Sequence, residues 1–137
     1  MRTLLMLGAA LAAIAGAPTR SAVTVHASAY GKILFDGKGF ALYAFTKDPK
    51  GRSTCSGSCA AAWPPFVVTK RATAGTGVDN KLLGVTRRAD GKLQVTYAGK
   101  PLYYYVGDRR PREVLCQNVP EFGGIWRVVR ANGALVR

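Results

Sequence analysis

Histidine and methionine are almost absent from this chain of 137 residues. The single histidine is His26, and the two methionines, Met1 and Met6, lie at the amino terminus. Metal sites with imidazole ligands, haem attachment and Ser–His or Cys–His catalysis all depend on these residue types. Three cysteines alone lack the fourth ligand of a structural zinc site. We therefore expect no metal, no cofactor and no enzymatic activity.

Acidic residues are also scarce. The chain has 7 Asp and Glu against 20 Lys and Arg, which gives a formal net charge of +13. Such an excess favours contact with anionic surfaces such as lipid headgroups, acidic glycans or nucleic acid. The basic residues are scattered in pairs and accompany no recognisable recognition helix or aromatic signature, so nucleic-acid binding is not expected. Two interpretations stay open, an anionic partner at the cell envelope or solubility alone.

Only one long hydrophobic run is present, from residue 3 to residue 17, directly after Arg2. It is shorter than the roughly 20 residues of a membrane-spanning helix and matches a secretory signal. We predict a signal peptide over 1–27, with an end between residues 17 and 29. No cysteine follows the run, so a lipid anchor is not expected, nor a transmembrane segment after cleavage. The predicted location is secreted or periplasmic.

Strand patterns dominate residues 28–137, which we predict to form a single β domain. Asp36-Gly37-Lys38-Gly39 and Asp90-Gly91 are typical of hairpin turns between apolar runs. Residues 92–97 alternate polar and apolar side chains, which predicts a strand with one face in solvent. One helical pattern occurs, a short segment near Cys59–Trp63. The predicted fold class is all-β, mainly antiparallel.

A six-residue motif occurs twice, with the pattern Tyr, any residue, aromatic, two residues, Asp. A tryptophan lies downstream of each copy, at Trp63 and Trp126. Such self-similarity predicts two β-hairpin or meander repeats that share one core, approximately 30–68 and 84–130. The motif residues are Tyr43, Phe45 and Asp48 in the first copy, and Tyr103, Tyr105 and Asp108 in the second.

The motif side chains have a structural interpretation and a functional one. Aromatics two residues apart on a strand favour core packing over an exposed ligand platform. Asp48 opens the sequence Asp48-Pro49-Lys50-Gly51, which is typical of a type I turn whose first carboxylate accepts backbone N–H bonds. Asp108 precedes Arg109, Arg110 and Arg112 and would also pair with a guanidinium. We expect both aspartates to be structural and not a catalytic dyad.

The repeated motif and the segment Cys55-Ser56-Gly57-Ser58-Cys59-Ala60-Ala61-Ala62-Trp63-Pro64-Pro65 together resemble a known family. The chain is similar to bacterial predicted secreted proteins and lipoproteins that carry the repeated Tyr-x-(Phe/Trp/Tyr)-x-x-Asp motif. The similarity covers nearly all of the presumed mature chain. It implies an exported protein and assigns no function.

The three cysteines allow more than one disulfide in an oxidising compartment. Chain entropy favours a long bridge to Cys116, at ~4 kcal/mol against ~2 kcal/mol for a bridge between Cys55 and Cys59. The family resemblance implies the short Cys55–Cys59 bridge. Cys116 would then be an unpaired thiol and a departure from the family pattern.

Two functions from different classes remain. The first is a non-enzymatic binding or structural module at the cell envelope with affinity for anionic partners, either an envelope component or another protein. Arg109, Arg110 and Arg112 are its candidate contact residues, because guanidinium groups suit carboxylate and phosphate. The alternative is a redox-active periplasmic protein that acts through its cysteines.

Overall fold

Short β-strands make up most of the regular structure between residues 20 and 137, which the computed structural model describes. The first 19 residues of the predicted signal peptide lie outside the described residues. The elements are β1 (Ala22–Ser28), β2 (Gly31–Asp36), β3 (Tyr43–Phe45), α1 (Ser58–Ala62), β4 (Val67–Val68), β5 (Thr73–Ala74), β6 (Leu83–Arg87), β7 (Leu93–Tyr97), β8 (Lys100–Pro101), β9 (Val119–Glu121) and β10 (Gly124–Val128). The prediction of a mainly antiparallel β fold with one short helix is confirmed.

The strands form three small sheets, two of which combine strands from both halves of the chain. Their orders are β2-β1-β5, β3-β10-β9 and β4-β7-β6, with β8 also paired to β7. Every strand pair is antiparallel except β1 with β5. In the second sheet, Phe45 of the first half lies opposite Trp126 of the second. The two halves are therefore interlocked by backbone pairing.

The turn predicted at Asp36–Gly39 is present, but the strand after it has a different partner. The Asp36 N–H donates to the Phe40 carbonyl at 2.8 Å, and the Asp36 carboxylate accepts from the backbone of Lys38 and Phe40, both at 2.9 Å. Beyond one bridge, Phe35 with Ala41, the hairpin does not continue. Strand β2 pairs along its length with β1, and β3 pairs with β10.

Strand β1 lies inside the range predicted for the end of the signal peptide. Its residues pair with β2 from Val23 opposite Asp36 to Ser28 opposite Gly31. A leader that ends near residue 17 leaves β1 in the mature protein, whereas one that ends after residue 27 removes most of it. The cleavage position and the single-domain boundary stay predictions.

The hairpin around Asp90-Gly91 joins β6 and β7 as predicted. The prediction that β7 has a solvent face is wrong, because Gln94 is fully buried and Thr96 is almost so. Strand β7 lies between β4 and β6. The Gln94 amide is satisfied internally, since it donates to the Leu102 carbonyl and accepts from the Arg88 guanidinium, both at 2.7 Å.

Strands β2 and β3 each contribute to two hydrophobic clusters. Ile33 and Phe35 enter one cluster and Leu34 enters the other, because successive strand side chains point to opposite faces. The first cluster holds the motif aromatics and all three cysteines. Among the described residues, no helix has the length and hydropathy needed to cross a bilayer.

Candidate functional site

The two copies of the motif are joined by crossed tyrosine–aspartate hydrogen bonds. The Tyr43 hydroxyl donates to Asp108 Oδ2 at 2.7 Å, and the Tyr103 hydroxyl donates to Asp48 Oδ2 at 2.6 Å. The two tyrosines also exchange backbone bonds, with N···O distances of 2.8 and 2.9 Å. Each tyrosine therefore satisfies the aspartate of the other copy, and a local two-fold relation passes between Tyr43 and Tyr103.

The same relation extends to a column of stacked rings. Trp63 and Trp126 stack with centroids 4.0 Å apart and an interplanar angle of 4°. Phe45 stacks on the outer face of Trp126 at 4.1 Å, and Tyr105 lies on Trp63 at 4.9 Å, tilted by 38°. Aromatic pairs of this kind add about 1 kcal/mol each beyond the area they bury.

The motif tyrosines pack edge-on against the same two indoles. Tyr43 meets Trp63 at 5.2 Å and 78°, and Tyr103 meets Trp126 at 5.1 Å and 89°. All four of these side chains are fully buried. The packing interpretation of the motif agrees with this burial, and only Tyr105 among the motif aromatics reaches the surface in part.

Glu121 is a member of this site that the sequence patterns do not indicate. Its Oε2 accepts from Trp63 Nε1 and its backbone carbonyl accepts from Trp126 Nε1, both at 3.1 Å. A single residue on β9 thus satisfies both buried indole N–H groups. Nothing in the local sequence marks it, because the contact depends on a residue 58 positions away.

The turn predicted over Asp48–Gly51 is wrong, because the Arg52 N–H donates to the Pro49 carbonyl at 3.2 Å and the Gly51 N–H donates to the Gly99 carbonyl. The carboxylates of both motif aspartates accept backbone N–H bonds from residues further along the chain. Asp48 Oδ1 accepts from the Thr54 backbone and hydroxyl, both at 2.7 Å. Asp108 Oδ1 accepts from the Leu115 N–H at 3.0 Å. The predicted pairing of Asp108 with a neighbouring arginine is wrong for the described residues, where the one ion pair is Arg20 with Asp36. The Asp108 side chain is turned into the protein, away from the exposed arginines.

Burial raises the pKa of these two tyrosines and of Asp108. Burial, followed by the hydrogen bond to Asp108, raises the pKa of Tyr43 far above its ordinary value of 10.0. Burial, with the bond to Asp48, raises the pKa of Tyr103 in the same way. Both hydroxyls therefore remain donors at physiological pH. Burial raises the pKa of Asp108 above 3.8, although the bonds from Tyr43 and Leu115 oppose this.

The predicted Cys55–Cys59 disulfide is present, with an S–S distance of 2.01 Å, and it links the loop before α1 to the helix. Cys116 is free and buried. Thr54 and Leu115 donate their N–H groups to the equivalent motif aspartates, so Cys116 occupies in the second copy the position of Cys55 in the first. The second copy has β9 where the first has α1, and it supplies no second cysteine. Cys116 is therefore unpaired because the second copy has an equivalent of Cys55 and no equivalent of Cys59.

A polar network lies beside the first aspartate. The Ser53 hydroxyl is 2.6 Å from the Tyr103 hydroxyl, and Arg88 donates to Ser53 Oγ at 2.9 Å and to the Cys55 carbonyl at 2.7 Å. An open depression of about 360 Å³ borders it, lined by residues 53–57, Ala60 and residues 88–90. The described residues contain no cluster of His, Cys, Asp and Glu that could hold a metal ion.

The predicted contact arginines lie together on one exposed loop. Arg109, Arg110 and Arg112 are all exposed. The Arg112 N–H donates to the Gly39 carbonyl at 2.8 Å, and its guanidinium lies 5.1 Å from the centre of the Phe35 ring. The loop begins directly after Asp108, so the second motif copy positions it.

Every acidic side chain accepts a hydrogen bond from another group of the protein. All seven accept hydrogen bonds from backbone or side-chain donors of the chain itself: Asp36, Asp48, Asp79, Asp90, Asp108, Glu113 and Glu121. Only one of them also forms an ion pair in the described part of the chain. The basic side chains are therefore left largely without carboxylate partners.

Comparison with protein families places both halves of this arrangement in one group. A family described as a secreted repeat of unknown function matches residues 24–67 and 84–130, and each match contains one motif copy with its tryptophan. The chain belongs to this family. The chain is therefore an exported protein with two repeats, as predicted. Neither the curated proteins nor the solved structures contain a match to this secreted repeat.

Proposed function

We propose that this protein is a non-enzymatic binding module of the cell envelope whose partners are anionic. The observation that carries the proposal is an excess of positive charge with few ion pairs to neutralise it. The net charge of the chain is +13, Asp36 and Asp108 are buried, and the one ion pair among the described residues joins Arg20 to Asp36. A surface with an excess of one sign attracts oppositely charged partners over roughly a Debye length, ~8 Å at physiological salt.

The surroundings of the motif residues favour a structural role over acid–base catalysis. Asp48 and Asp108 each bind a different tyrosine and a different backbone N–H. Glycoside chemistry would need two carboxylates across one cleft, with one free to give up a proton. A hydroxyl whose pKa is raised by burial, as in Tyr43 and Tyr103, holds its carboxylate in place.

The thiol-based alternative has less support. The reactive form of cysteine is the thiolate, and reactive cysteines are partly exposed in electropositive surroundings. Burial raises the pKa of the Cys116 thiol, which disfavours the thiolate. Cys55 and Cys59 are also buried, so their disulfide is shielded from an attacking thiol.

The three arginines of the loop after Asp108 are the proposed contact residues. They are exposed, and none forms an ion pair in the described structure. A guanidinium presents a planar fork of N–H donors that matches carboxylate and phosphate oxygens. Because salt screens the attraction between exposed charges, binding through several such contacts should weaken as the salt concentration rises.

Retention on an acidic polysaccharide resin and on anionic lipid vesicles, at low and high salt, tests the proposal. The variant Arg109→Gln/Arg110→Gln/Arg112→Gln removes the loop charges. Lys70→Gln/Lys81→Gln/Lys92→Gln is the matched control, because it removes three exposed charges elsewhere. We expect both to weaken retention and the arginine variant to weaken it several-fold more. Retention that ignores salt and both substitutions would refute the proposal.

A further inference from the structure

The two most exposed large apolar side chains among those described stand at the base of the arginine loop. Leu115 is 58% exposed and Val106 is 57% exposed, whereas the next, Val67 and Val85, are 41% and 40% exposed. Hydrogen bonds of Asp108 hold the two segments that carry these side chains. Its backbone N–H closes the turn that contains Val106 by donating to the Tyr105 carbonyl at 3.1 Å, and its Oδ1 accepts from the Leu115 N–H.

Backbone hydrogen bonds hold this loop in its exposed position. The Val106 N–H donates to the Ala62 carbonyl at 3.0 Å, and the Glu113 N–H donates to the Arg110 carbonyl at 3.2 Å. The Glu113 carboxylate in turn accepts from the Arg109 N–H at 2.8 Å. The loop is therefore organised before any partner arrives, so a partner gains contacts without first having to order it.

We propose that this loop docks the protein on an anionic lipid bilayer, an inference that rests on the proposed function and narrows its partner. Val106 and Leu115 enter the boundary between headgroups and acyl chains, while Arg109 and Arg110 contact lipid phosphates. Interfacial binding strength depends on buried apolar area together with attraction to anionic lipid. An acidic glycan would use the arginines and gain nothing from the two exposed apolar side chains. The combination of the two residue types favours the lipid.

Sedimentation with vesicles of equal parts phosphatidylcholine and phosphatidylglycerol tests the apolar contribution separately from charge. Val106→Ser/Leu115→Ser removes the exposed apolar groups of the loop and leaves every charge unchanged. Val67→Ser/Val85→Ser is the matched control on β4 and β6. We expect the loop variant to lower the vesicle partition coefficient roughly tenfold, since two apolar side chains no longer leave water. Equal binding of the two variants would overturn the inference.

Insertion itself is measured with a tryptophan placed in the loop. Leu115→Trp should be quenched by lipids brominated in their acyl chains, and Val67→Trp should not. Trp63 and Trp126 are fully buried and contribute a constant background. Salt-sensitive vesicle binding without this quenching would disprove the docking and leave the anionic-partner proposal standing.

Binding to the polysaccharide resin tests whether the two apolar side chains act on lipid alone. The Val106→Ser/Leu115→Ser variant should be retained there as strongly as the unmodified protein, because charge alone acts on that surface. A tenfold loss on the resin as well would show that the apolar pair is not specific for lipid and would overturn the docking. Failure of the unmodified protein to bind either surface would refute both proposals together.

Discussion

After Asp48 the chain forms a loop that the Cys55–Cys59 disulfide ties to a short helix, whereas after Asp108 it forms an exposed loop with three arginines and leaves Cys116 unpaired. At the centre the two copies are nearly alike, with crossed Tyr–Asp bonds and stacked indoles. Interior packing tolerates little change in either copy, because a lost contact there leaves a cavity or an unpaired group. The surface segments differ: the first carries the exposed Lys50 and Arg52, whereas the second carries three arginines and the exposed apolar side chains of Val106 and Leu115.

The largest effects should come from the paired indoles, which test whether the two copies are equivalent. Trp63→Ala and Trp126→Ala should each lower the free energy of unfolding by about 4 kcal/mol, because each leaves a large cavity against three neighbouring rings. Urea denaturation measures both. The milder Trp63→Phe and Trp126→Phe keep a ring in place if either alanine variant is unfolded. Costs that differ by several kcal/mol would mean that the shared core belongs mainly to one copy.

Removal of one motif hydroxyl should distinguish the copies. Tyr43→Phe leaves the buried Asp108 Oδ2 without its donor and should cost about 2–3 kcal/mol of unfolding free energy. Tyr103→Phe should cost about 1 kcal/mol, because Asp48 is closer to solvent and keeps both bonds from Thr54. Denaturant unfolding of the two variants gives the comparison directly. Equal costs, or the reverse order, would contradict the unequal burial of the two aspartates.

The cysteines allow a smaller test of the same difference. Cys55→Ala/Cys59→Ala should lower stability by about 2 kcal/mol, the chain-entropy value for a loop this short. Cys116→Ala should cost about 1 kcal/mol through lost packing, because it closes no loop. Denaturation in the presence of reductant, which reaches the buried bridge once the chain unfolds, should show lower stability for the unmodified protein and Cys116→Ala alike and leave the double variant unchanged. A response of the double variant to reductant would show that Cys116 takes part in a bridge.

The smallest expected effect is the pH dependence contributed by Asp108. Its pKa in the folded protein is raised above 3.8, so the folded state binds this proton more tightly than the unfolded state does. The stabilisation of the folded state by this proton is complete below pH 3.8 and is lost as pH rises through the pKa of Asp108 in the folded protein. The unfolding free energy of the wild type should therefore fall relative to Asp108→Asn over that interval. The turn residue variant Asp90→Asn controls for loss of one carboxylate, and a difference that rises with pH would contradict the assignment.

Several features of the fold could be predicted because they depend on neighbouring residues. Turn chemistry placed Asp36–Gly39 and Asp90-Gly91, and a helix-forming stretch placed α1. The spacing of Tyr43 and Phe45 was enough to favour burial. The solvent face of β7 was mispredicted, because Gln94 is polar and yet buried with its partners, which no local pattern reveals.

The sequence by itself determined the β class, the two repeats, the turns and the excess of positive charge, since each follows from residue type and short spacing. The tertiary structure alone decided which tyrosine binds which aspartate, across 65 and 55 residues, and that Glu121 serves both indoles. It also paired β2 with β1 and β3 with β10. Local propensity sets what each segment can form, but the choice among distant partners depends on packing the core while nearly every buried polar group finds a hydrogen-bond partner.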